Sequence, residues 1–164
     1  MPKNKKIILF GSQYINSSNK GYKYFIEALK YINNKNYFVV LFGNMWDFSE
    51  IINSKIQYKH YGFIDDVKFL REIYSLSDVF VMPSIQEGFG KIAAESMLCA
   101  TPVVCFKNTA ISEIVSHKKN GYCANYLNSK NLSKGINWIL EDSKKFHKIK
   151  KLSRTTIKKN FNST

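Results

Sequence analysis

The sequence predicts an α/β domain, a Rossmann-like parallel sheet with helices on both faces. Short strands that are apolar throughout indicate a sheet covered on both sides. Helical segments separate these strands, which is typical of parallel strands joined by right-handed crossovers. The chain has 164 residues, of which 45% are hydrophobic, and it is long enough for one domain with a sizeable core.

Strand and helix patterns alternate along the chain. An apolar run predicts a first strand at residues 6–10, and a polar loop is expected at 12–20. Residues 22–32 carry apolar side chains on one helical face, and Asp65 and Asp66 are predicted N-caps of a later helix. Further strands are predicted at 37–42, 56–61, 79–82, 102–106 and 121–124, and further helices at 67–75, 91–99, 111–116, 132–140 and 143–159.

The net charge of +13 leaves three interpretations open. From Lys144 onward there are seven lysines, one arginine and no acidic residue, which indicates either a solvated helix face or attraction to an anionic membrane. Nucleic acid is the third candidate partner. It is the least favoured, because Arg71 and Arg154 are the only arginines and arginine is the preferred reader of guanine and phosphate.

Composition also excludes several classes. No apolar run approaches the about 20 residues that span a bilayer, and residues 7–10 are too short for the apolar region of a signal peptide. Cys99, Cys105 and Cys123 lack zinc-type spacing, so buried reduced thiols in a cytoplasmic protein are expected. No Asp-x-Asp metal signature is present, and neither a metal nor a cofactor is expected.

The most informative segment runs from Pro83 to Glu95, where a buried strand turns through a loop into a helix. Gly88 and Gly90 permit a close backbone approach to a ligand, and free N–H groups at the helix start suit a phosphate. Glu87 lies in the loop, and Glu95 lies about 7 Å along the helix. Two carboxylates beside an anion site can hold the two ends of one elongated ligand, which favours sugars at both ends.

Two further loops at strand ends are predicted to complete this crevice. Lys20 follows the first strand and precedes a helix, so its ammonium group is placed to neutralise a diphosphate. The turn Gly62-Phe63-Ile64 ends another strand. Its backbone can pair with the edge of a base, while Phe63 or Ile64 packs on the ring.

The glutamates of EGFGKIAAE at residues 87–95 are separated by seven residues, and the segment is preceded by PS and followed by SM. TPVV follows at 101–104, and SEIV at 112–115 precedes NG. Upstream lie ILFGS and NKGYKYFIEAL. On these motifs the chain resembles the family 4 retaining glycosyltransferases, whose GT-B fold has two domains. The resemblance covers about residues 6–160.

The resemblance implies a role for each motif residue. Glu87 would contact hydroxyls of the transferred sugar and Lys20 the phosphates, and these two are the predicted catalytic residues. Glu95 would hold the ribose hydroxyls. The predicted donor-binding residues further include those that frame the base, contact the sugar through backbone, or offer N–H groups to the diphosphate: Ser12, Phe63, Ile64, Gly88, Phe89, Gly90, Lys91 and Ile92.

The chain departs from the family pattern near the phosphate site and before a strand. Ser12 and Gln13 stand where the family usually has an arginine, so Lys20 carries the phosphate charge with less help or Lys91 shares it. Ala100-Thr101 stands where a small glycine is usual ahead of the PVV strand. These changes affect the shape of the sugar pocket and leave the expected fold unchanged.

The resemblance implies an enzyme that transfers a hexose or N-acetylhexosamine, with retention, from a nucleotide diphosphate sugar. A UDP-sugar is the favoured donor, and a glycan or lipid-linked acceptor in bacterial surface polysaccharide synthesis, such as that of lipopolysaccharide O-antigen, is expected. Two alternatives are a sugar-nucleotide epimerase and a nucleic-acid-binding α/β module. The epimerase is disfavoured because such enzymes lack the EGFG loop with its glutamate pair.

Residues 1–164 are expected to be the C-terminal, donor-binding half of such an enzyme. Its N-terminal acceptor domain would be absent, and the chain alone would transfer sugar poorly or not at all. The expected location is the cytoplasm, with peripheral contact at the inner face of the plasma membrane. The expected partners are a nucleotide sugar, the acceptor domain and anionic membrane, and not nucleic acid.

Overall fold

The computed structural model describes residues 1–162 and contains six strands and six α-helices in that range. Two short 3-10 helices, Ser18–Lys20 and Ala110–Glu113, complete it. The strands are β1 (Lys6–Tyr14), β2 (Tyr37–Asn44), β3 (Tyr58–His60), β4 (Val79–Met82), β5 (Val103–Phe106) and β6 (Tyr122–Ala124). The helices are α1 (Tyr22–Leu29), α2 (Ser49–Asn53), α3 (Val67–Leu76), α4 (Lys91–Leu98), α5 (Ser129–Leu140) and α6 (Ser143–Asn162).

All six strands pair in parallel, in the order β3-β2-β1-β4-β5-β6. Alternate residues of each strand face opposite sides of the sheet. In β1, Ile8 and Phe10 pack in the cluster that contains the buried faces of α1 and α5. Ile7 and Leu9 pack on the other side, in the cluster formed with α3 and α4. Two separate cores confirm the prediction of a Rossmann-like sheet with helices on both faces.

The strand order reverses beside β1, because the chain moves outward to β2 and β3 and then returns to place β4 on the other side. The loops that follow β1 and β4 therefore meet at the carboxyl edge of the sheet, where ligands bind in such folds. The N–H of Ile85 donates to the carbonyl of Asn19 at 2.8 Å. A Cβ on Gly21, which has φ of 71°, would lie 1.9 Å from the carbonyl oxygen of Pro83, so only glycine permits this contact.

The first strand is longer than predicted. It continues to Tyr14, which pairs with Asn44 across an irregularity that follows Gly11. Ser12 therefore lies inside a strand, and its placement at the start of a polar loop was wrong. The prediction followed side-chain polarity, whereas the ladder is made by backbone groups that polar residues also carry.

Helix boundaries differ by smaller amounts. Helix α1 ends at Leu29 although the apolar pattern continues to Ile32, which is buried beyond the helix. Helix α2 was not predicted, since its five residues are too few for a periodic pattern. Asp66 is the N-cap of α3 and accepts from the N–H of Lys68 at 2.9 Å, whereas Asp65 is not the cap.

Two other expectations concern the turn after α4 and the cysteines. Ala100 has φ of 60°, the left-handed conformation that glycine adopts freely. All three cysteines are free thiols, as expected. Cys105 and Cys123 are buried, but Cys99 is only partly buried.

Candidate functional site

A pocket of about 330 Å³ lies at the carboxyl edge of the sheet, between the ends of β1 and β2 and the start of α4. We call it the Glu95 pocket. Its walls are mostly apolar, with one carboxylate, which is the character of small-molecule sites. Its lining residues are Ser12, Gln13, Phe42, Gly43, Phe63, Ile64, Leu70, Tyr74, Ile92 and Glu95.

The carboxylate of Glu95 is oriented by two side chains. Its Oε2 accepts from the hydroxyl of Tyr74 at 3.5 Å, and its Oε1 lies 3.9 Å from the ammonium of Lys91. Burial, followed by the charge of Glu95, raises the pKa of Tyr74 above its ordinary value, so its hydroxyl stays protonated as a donor. The Glu95 side chain remains 39% exposed, which leaves the carboxylate accessible to a ligand.

Two further groups in the pocket have unused capacity. The side-chain oxygen of Ser12 is buried and has no hydrogen-bond partner among residues 1–162. Phe63 is 58% exposed, which is unusual for a phenylalanine and leaves its ring free to cover an apolar ligand surface. Ile64 lies beside it and is partly buried against the core.

A second cluster joins the loops that follow β1 and β4. The ammonium of Lys20 lies 2.9 Å from Oε2 of Glu87, and the two side chains are 22% and 18% exposed. The hydroxyl of Ser84 donates to the same carboxylate oxygen at 3.3 Å. Glu87 is thus held by two donors, and Lys20 points at the carboxylate that was predicted to bind the sugar.

The start of α4 lies next in sequence to this cluster. Gly90 is the N-cap, with φ of 60°, and no side chain caps the helix. The first N–H groups of the helix are therefore left for solvent or a ligand, at the positive end of the helix dipole. Gly88 and Phe89 are exposed in the turn before it, with Phe89 at 77%.

The predicted residues thus fall into three groups on one edge of the sheet. Sequence reasoning missed Tyr74, because only the fold shows that a residue in the middle of an apolar helix face reaches the carboxylate of Glu95. It also missed Gln13. The Glu95 pocket contains Ser12, Phe63, Ile64, Ile92 and Glu95; the loop cluster contains Lys20 and Glu87; and the turn into α4 contains Gly88, Phe89, Gly90 and Lys91.

The described part of the chain contains neither a cluster of metal ligands nor a membrane-spanning helix. Within residues 1–162, no group of three or more His, Cys, Asp or Glu side chains is placed to hold a metal ion. No helix in that range has the length and apolar character required to cross a membrane.

Two proteins with similar sequences are named as glycosyltransferases. The chain is 30% identical over 146 residues to the uncharacterized glycosyltransferase MJ1607 of Methanocaldococcus jannaschii, a match that covers 85% of this chain and 37% of that protein. It is 32% identical over 130 residues to the N,N'-diacetylbacillosaminyl-diphospho-undecaprenol alpha-1,3-N-acetylgalactosaminyltransferase of Campylobacter jejuni, covering 76% of this chain and 33% of that protein. The chain spans about a third of each relative.

Solved structures share the fold. The C-terminal domain of a glycosyl transferase group 1 family protein (LpcC) from Francisella tularensis matches with a TM-score of 0.80 and 25% identity, covering 96% of this chain and 86% of that one. Anabaena HepE, in complex with UDP and glucose, matches with a TM-score of 0.81 and 24% identity, covering 95% of this chain and 44% of that one.

The family model described as glycosyl transferases group 1 matches residues 1–156, nearly the whole chain. This match agrees with the sheet, its strand order and the likeness to GT-B glycosyltransferase domains, and it decides against the epimerase alternative. The chain belongs to the group 1 glycosyltransferases.

Proposed function

We propose that this chain binds a nucleotide diphosphate sugar, with a UDP-sugar favoured, as the donor for retaining glycosyl transfer. The base would lie against Phe63 and Ile64, and the ribose hydroxyls would donate to Glu95. The diphosphate would lie at the start of α4, where the N–H groups of Lys91 and Ile92 are unused. This arrangement is supported by the Glu95 pocket, whose apolar walls and single carboxylate suit a base and a ribose.

The sugar end would involve a change of partners at the Lys20–Glu87 pair. Lys20 would move from the carboxylate to the diphosphate, and Glu87 would accept from sugar hydroxyls instead. The backbone of Gly88, Phe89 and Gly90 would line the same sugar. The loops that carry the pair are already joined through Ile85 and Asn19, and on this support the exchange would be made by side-chain motion.

Catalysis would be electrostatic. Negative charge builds on the diphosphate as the bond to the sugar breaks, and preorganised donors stabilise charge best in a partly dry site. The dipole of α4 and the Lys20 ammonium would supply this stabilisation, and Ser12, which stands where an arginine is usual, would add a neutral hydroxyl. No metal or cofactor is needed for these steps. Retention would follow if the acceptor attacks the face from which the diphosphate leaves.

A thermal-shift panel of UDP, GDP, ADP and their sugars tests donor binding. A ligand at 100 times its dissociation constant adds about 2.7 kcal/mol to the free energy of unfolding. We expect the largest shift with UDP-sugars, reduced by Glu95→Ala. The absence of a shift with every nucleotide in the panel would contradict the proposal.

We further propose that residues 1–164 form the donor-binding half of a two-domain enzyme whose other domain holds a glycan or lipid-linked acceptor in bacterial surface polysaccharide synthesis. The Campylobacter relative, named for a diphospho-undecaprenol acceptor, supports this acceptor class. The match to the C-terminal domain of LpcC from Francisella tularensis supports the division into two domains. In a turnover assay, this chain alone should bind donor without transferring sugar; activity equal to that of a two-domain relative would contradict the division.

The exposed face of α6 supports peripheral contact with an anionic membrane at the inner face of the plasma membrane. Lys144, Lys148 and Lys151 are exposed, while Phe146 and Ile149 are buried against the domain. Each basic residue near an anionic surface contributes about 1 kcal/mol. Phosphatidylglycerol vesicles should pellet the chain at low salt and phosphatidylcholine vesicles should not.

The matched test of this contact reverses charge at two places. Lys148→Glu with Lys151→Glu should release the chain from phosphatidylglycerol vesicles. Lys55→Glu with Lys68→Glu makes the same change in net charge outside α6 and should release the chain less. Equal release by both pairs would show that net charge, rather than the α6 face, drives the binding.

A further inference from the structure

A second pocket, of about 280 Å³, lies on the same edge of the sheet between the loops that follow β1 and β2. We call it the Trp46 pocket. It shares no lining residue with the Glu95 pocket. Its volume is close to the lower end for small-molecule sites, about 300 Å³. The side chains that matter are Ser18, Tyr22, Lys23, Trp46, Asp47 and Glu50.

The indole of Trp46 is 64% exposed. Within residues 1–162 it stacks on no other ring, no cation lies over it, and its N–H has no acceptor. The other tryptophan, Trp138, has the Lys145 ammonium 4.0 Å from its ring and the Tyr122 ring at 6.1 Å. A large apolar ring left bare beside polar groups is typical of a binding surface.

The backbone under the indole is held in place. The Oδ1 atom of Asn16 accepts from the N–H groups of Trp46 at 3.0 Å and Asp47 at 3.3 Å. The amide of Asn16 also donates to the carbonyl of Asp47 at 3.0 Å. These three bonds tie the two loops together, so the ring is presented on a fixed backbone and less entropy is lost when a ligand binds.

Hydrogen-bonding groups with unused capacity surround the ring. The Glu50 carboxylate and the Ser18 hydroxyl have no side-chain partner among residues 1–162. One oxygen of Asp47 accepts from the N–H of Ser49 at 2.9 Å, and this bond lowers the pKa of Asp47. The pocket therefore offers two carboxylates and a hydroxyl to a ligand that carries several hydroxyl groups.

Tyr22 supplies an independent indication of a ligand. Its side chain is 5% exposed, and its hydroxyl has no hydrogen-bond partner among residues 1–162. Burial first, and then the charge of Glu50, raises the pKa of Tyr22, which keeps the hydroxyl protonated. A buried donor without a partner is costly, and here it lies in the wall of a pocket that also contains Glu50.

The charge of the pocket selects the ligand class. Asp47 and Glu50 outnumber Lys23, so the pocket is acidic although the chain as a whole carries +13. Phosphates and nucleotides are disfavoured there. An uncharged, polyhydroxylated ring with one apolar face matches both the carboxylates and the bare indole.

We propose that the Trp46 pocket is a carbohydrate subsite, in which one neutral sugar ring of a glycan stacks on the indole and donates hydroxyls to Glu50 and Asp47. The 3-10 helix Ser18–Lys20 forms one wall of this pocket and also carries Lys20, which reaches Glu87. The subsite thus borders the donor site across a single turn of chain. It extends the proposed function by giving this half of the enzyme its own contact with the acceptor glycan, but its occupancy does not require a bound nucleotide.

Tryptophan fluorescence tests the subsite directly, since the chain has only two tryptophans. In Trp138→Phe, Trp46 is the only indole left. This variant of the 164-residue chain would be titrated with maltotriose, mannotriose, N-acetylchitotriose and galactotriose, and with UDP as the anionic probe. We expect at least one neutral trisaccharide to change the Trp46 emission at millimolar concentration, and UDP to leave it unchanged.

Variants separate recognition from folding. Measured by calorimetry, Trp46→Ala should lower the affinity for the same trisaccharide at least tenfold. Trp138→Ala should leave that affinity unchanged, and the affinity for UDP should stay unchanged. Tyr22→Phe should keep or raise the melting temperature, because it removes an unpaired buried hydroxyl. The same substitution should lower the affinity for the saccharide severalfold. The subsite is wrong if no trisaccharide changes the emission, or if Trp46→Ala binds as tightly as the parent chain. Loss of UDP binding in every variant, the parent included, would instead count against the donor site.

Discussion

The two ends of the proposed donor site differ in how far they are ready for a ligand. The Glu95 pocket is open, with Phe63 more than half exposed and a carboxylate that is oriented but accessible. At the other end, Lys20 and Glu87 satisfy each other at 2.9 Å and are both largely buried. In the proposed complex, the nucleotide end would bind without rearrangement, whereas the sugar end would exchange one ion pair for two new contacts. We infer that affinity comes mainly from the first end and discrimination between sugar nucleotide and bare nucleotide from the second.

The largest expected effect is at the nucleotide end. Glu95→Ala should lower the affinities for UDP and for a UDP-sugar alike by about 10- to 100-fold, because hydrogen bonds to a charged group contribute about 1.5–3 kcal/mol. Glu72→Ala removes an equal charge from the exposed surface of α3 and is the control in calorimetric titrations. Similar affinities of the two variants would show that Glu95 does not contact the nucleotide.

Glu87→Ala should produce a selective loss at the sugar end. The advantage of a UDP-sugar over UDP should disappear, a change of about 10-fold, while UDP itself binds unchanged or more tightly because Lys20 is released. Both ligands are titrated against Glu87→Ala and Glu87→Gln. A parallel loss for UDP and the UDP-sugar would contradict the division between the two ends.

Lys20→Ala tests whether Lys20 contacts the diphosphate, which is proposed to lie between the nucleotide end and the sugar end. The affinity for UDP should fall by roughly 5- to 10-fold, because its diphosphate would lose a charge-assisted hydrogen bond. The affinity for uridine, which has no phosphate, should not change. Lys23→Ala, three residues along the chain and exposed, is the matched control. The difference between the effects of Lys20→Ala on UDP and on uridine should shrink as the salt concentration is raised. An equal effect on both ligands would show that Lys20 does not contact the diphosphate.

The smallest expected effect is at the base. Phe63→Ala should weaken all nucleotides by about two- to tenfold, because a ring contact contributes about 0.5–1.5 kcal/mol. Phe89→Ala removes a phenylalanine that is 77% exposed and is proposed to act through its backbone alone, so UDP affinity should hardly change. A larger effect of Phe89→Ala would place the base elsewhere.

Local sequence patterns predicted the elements that carry the site. The strand Val79–Met82 was predicted with the bounds observed, because four apolar residues lie between two breaks in pattern. Helix α4 was predicted one residue too long, and the glutamate spacing placed Glu87 before it and Glu95 within it. The two carboxylates were expected to face one crevice. In the structure Glu95 lines a pocket and Glu87 lies in the loop cluster with Lys20.

Contacts between distant segments could not be predicted in this way. Lys20 and Glu87 are 67 residues apart, and their pairing depends on the side-by-side placement of β1 and β4. The Trp46 pocket draws its side chains from the segments that follow β1 and β2. An isolated tryptophan in the short segment between β2 and α2 carries no periodic signal, so its exposure is a property of the fold alone.

The turn at Ala100 shows how a chain can drift from a family preference at small cost. A non-glycine residue in the left-handed region costs roughly 1–2 kcal/mol in the folded state. Glycine would remove that cost but would also give the unfolded chain more freedom, which offsets about 0.4–1 kcal/mol of the gain. The offset covers about half of the cost, so alanine at this turn is less stable than glycine by about 1 kcal/mol. Sequence searches that require the glycine would pass over chains that fold with alanine there.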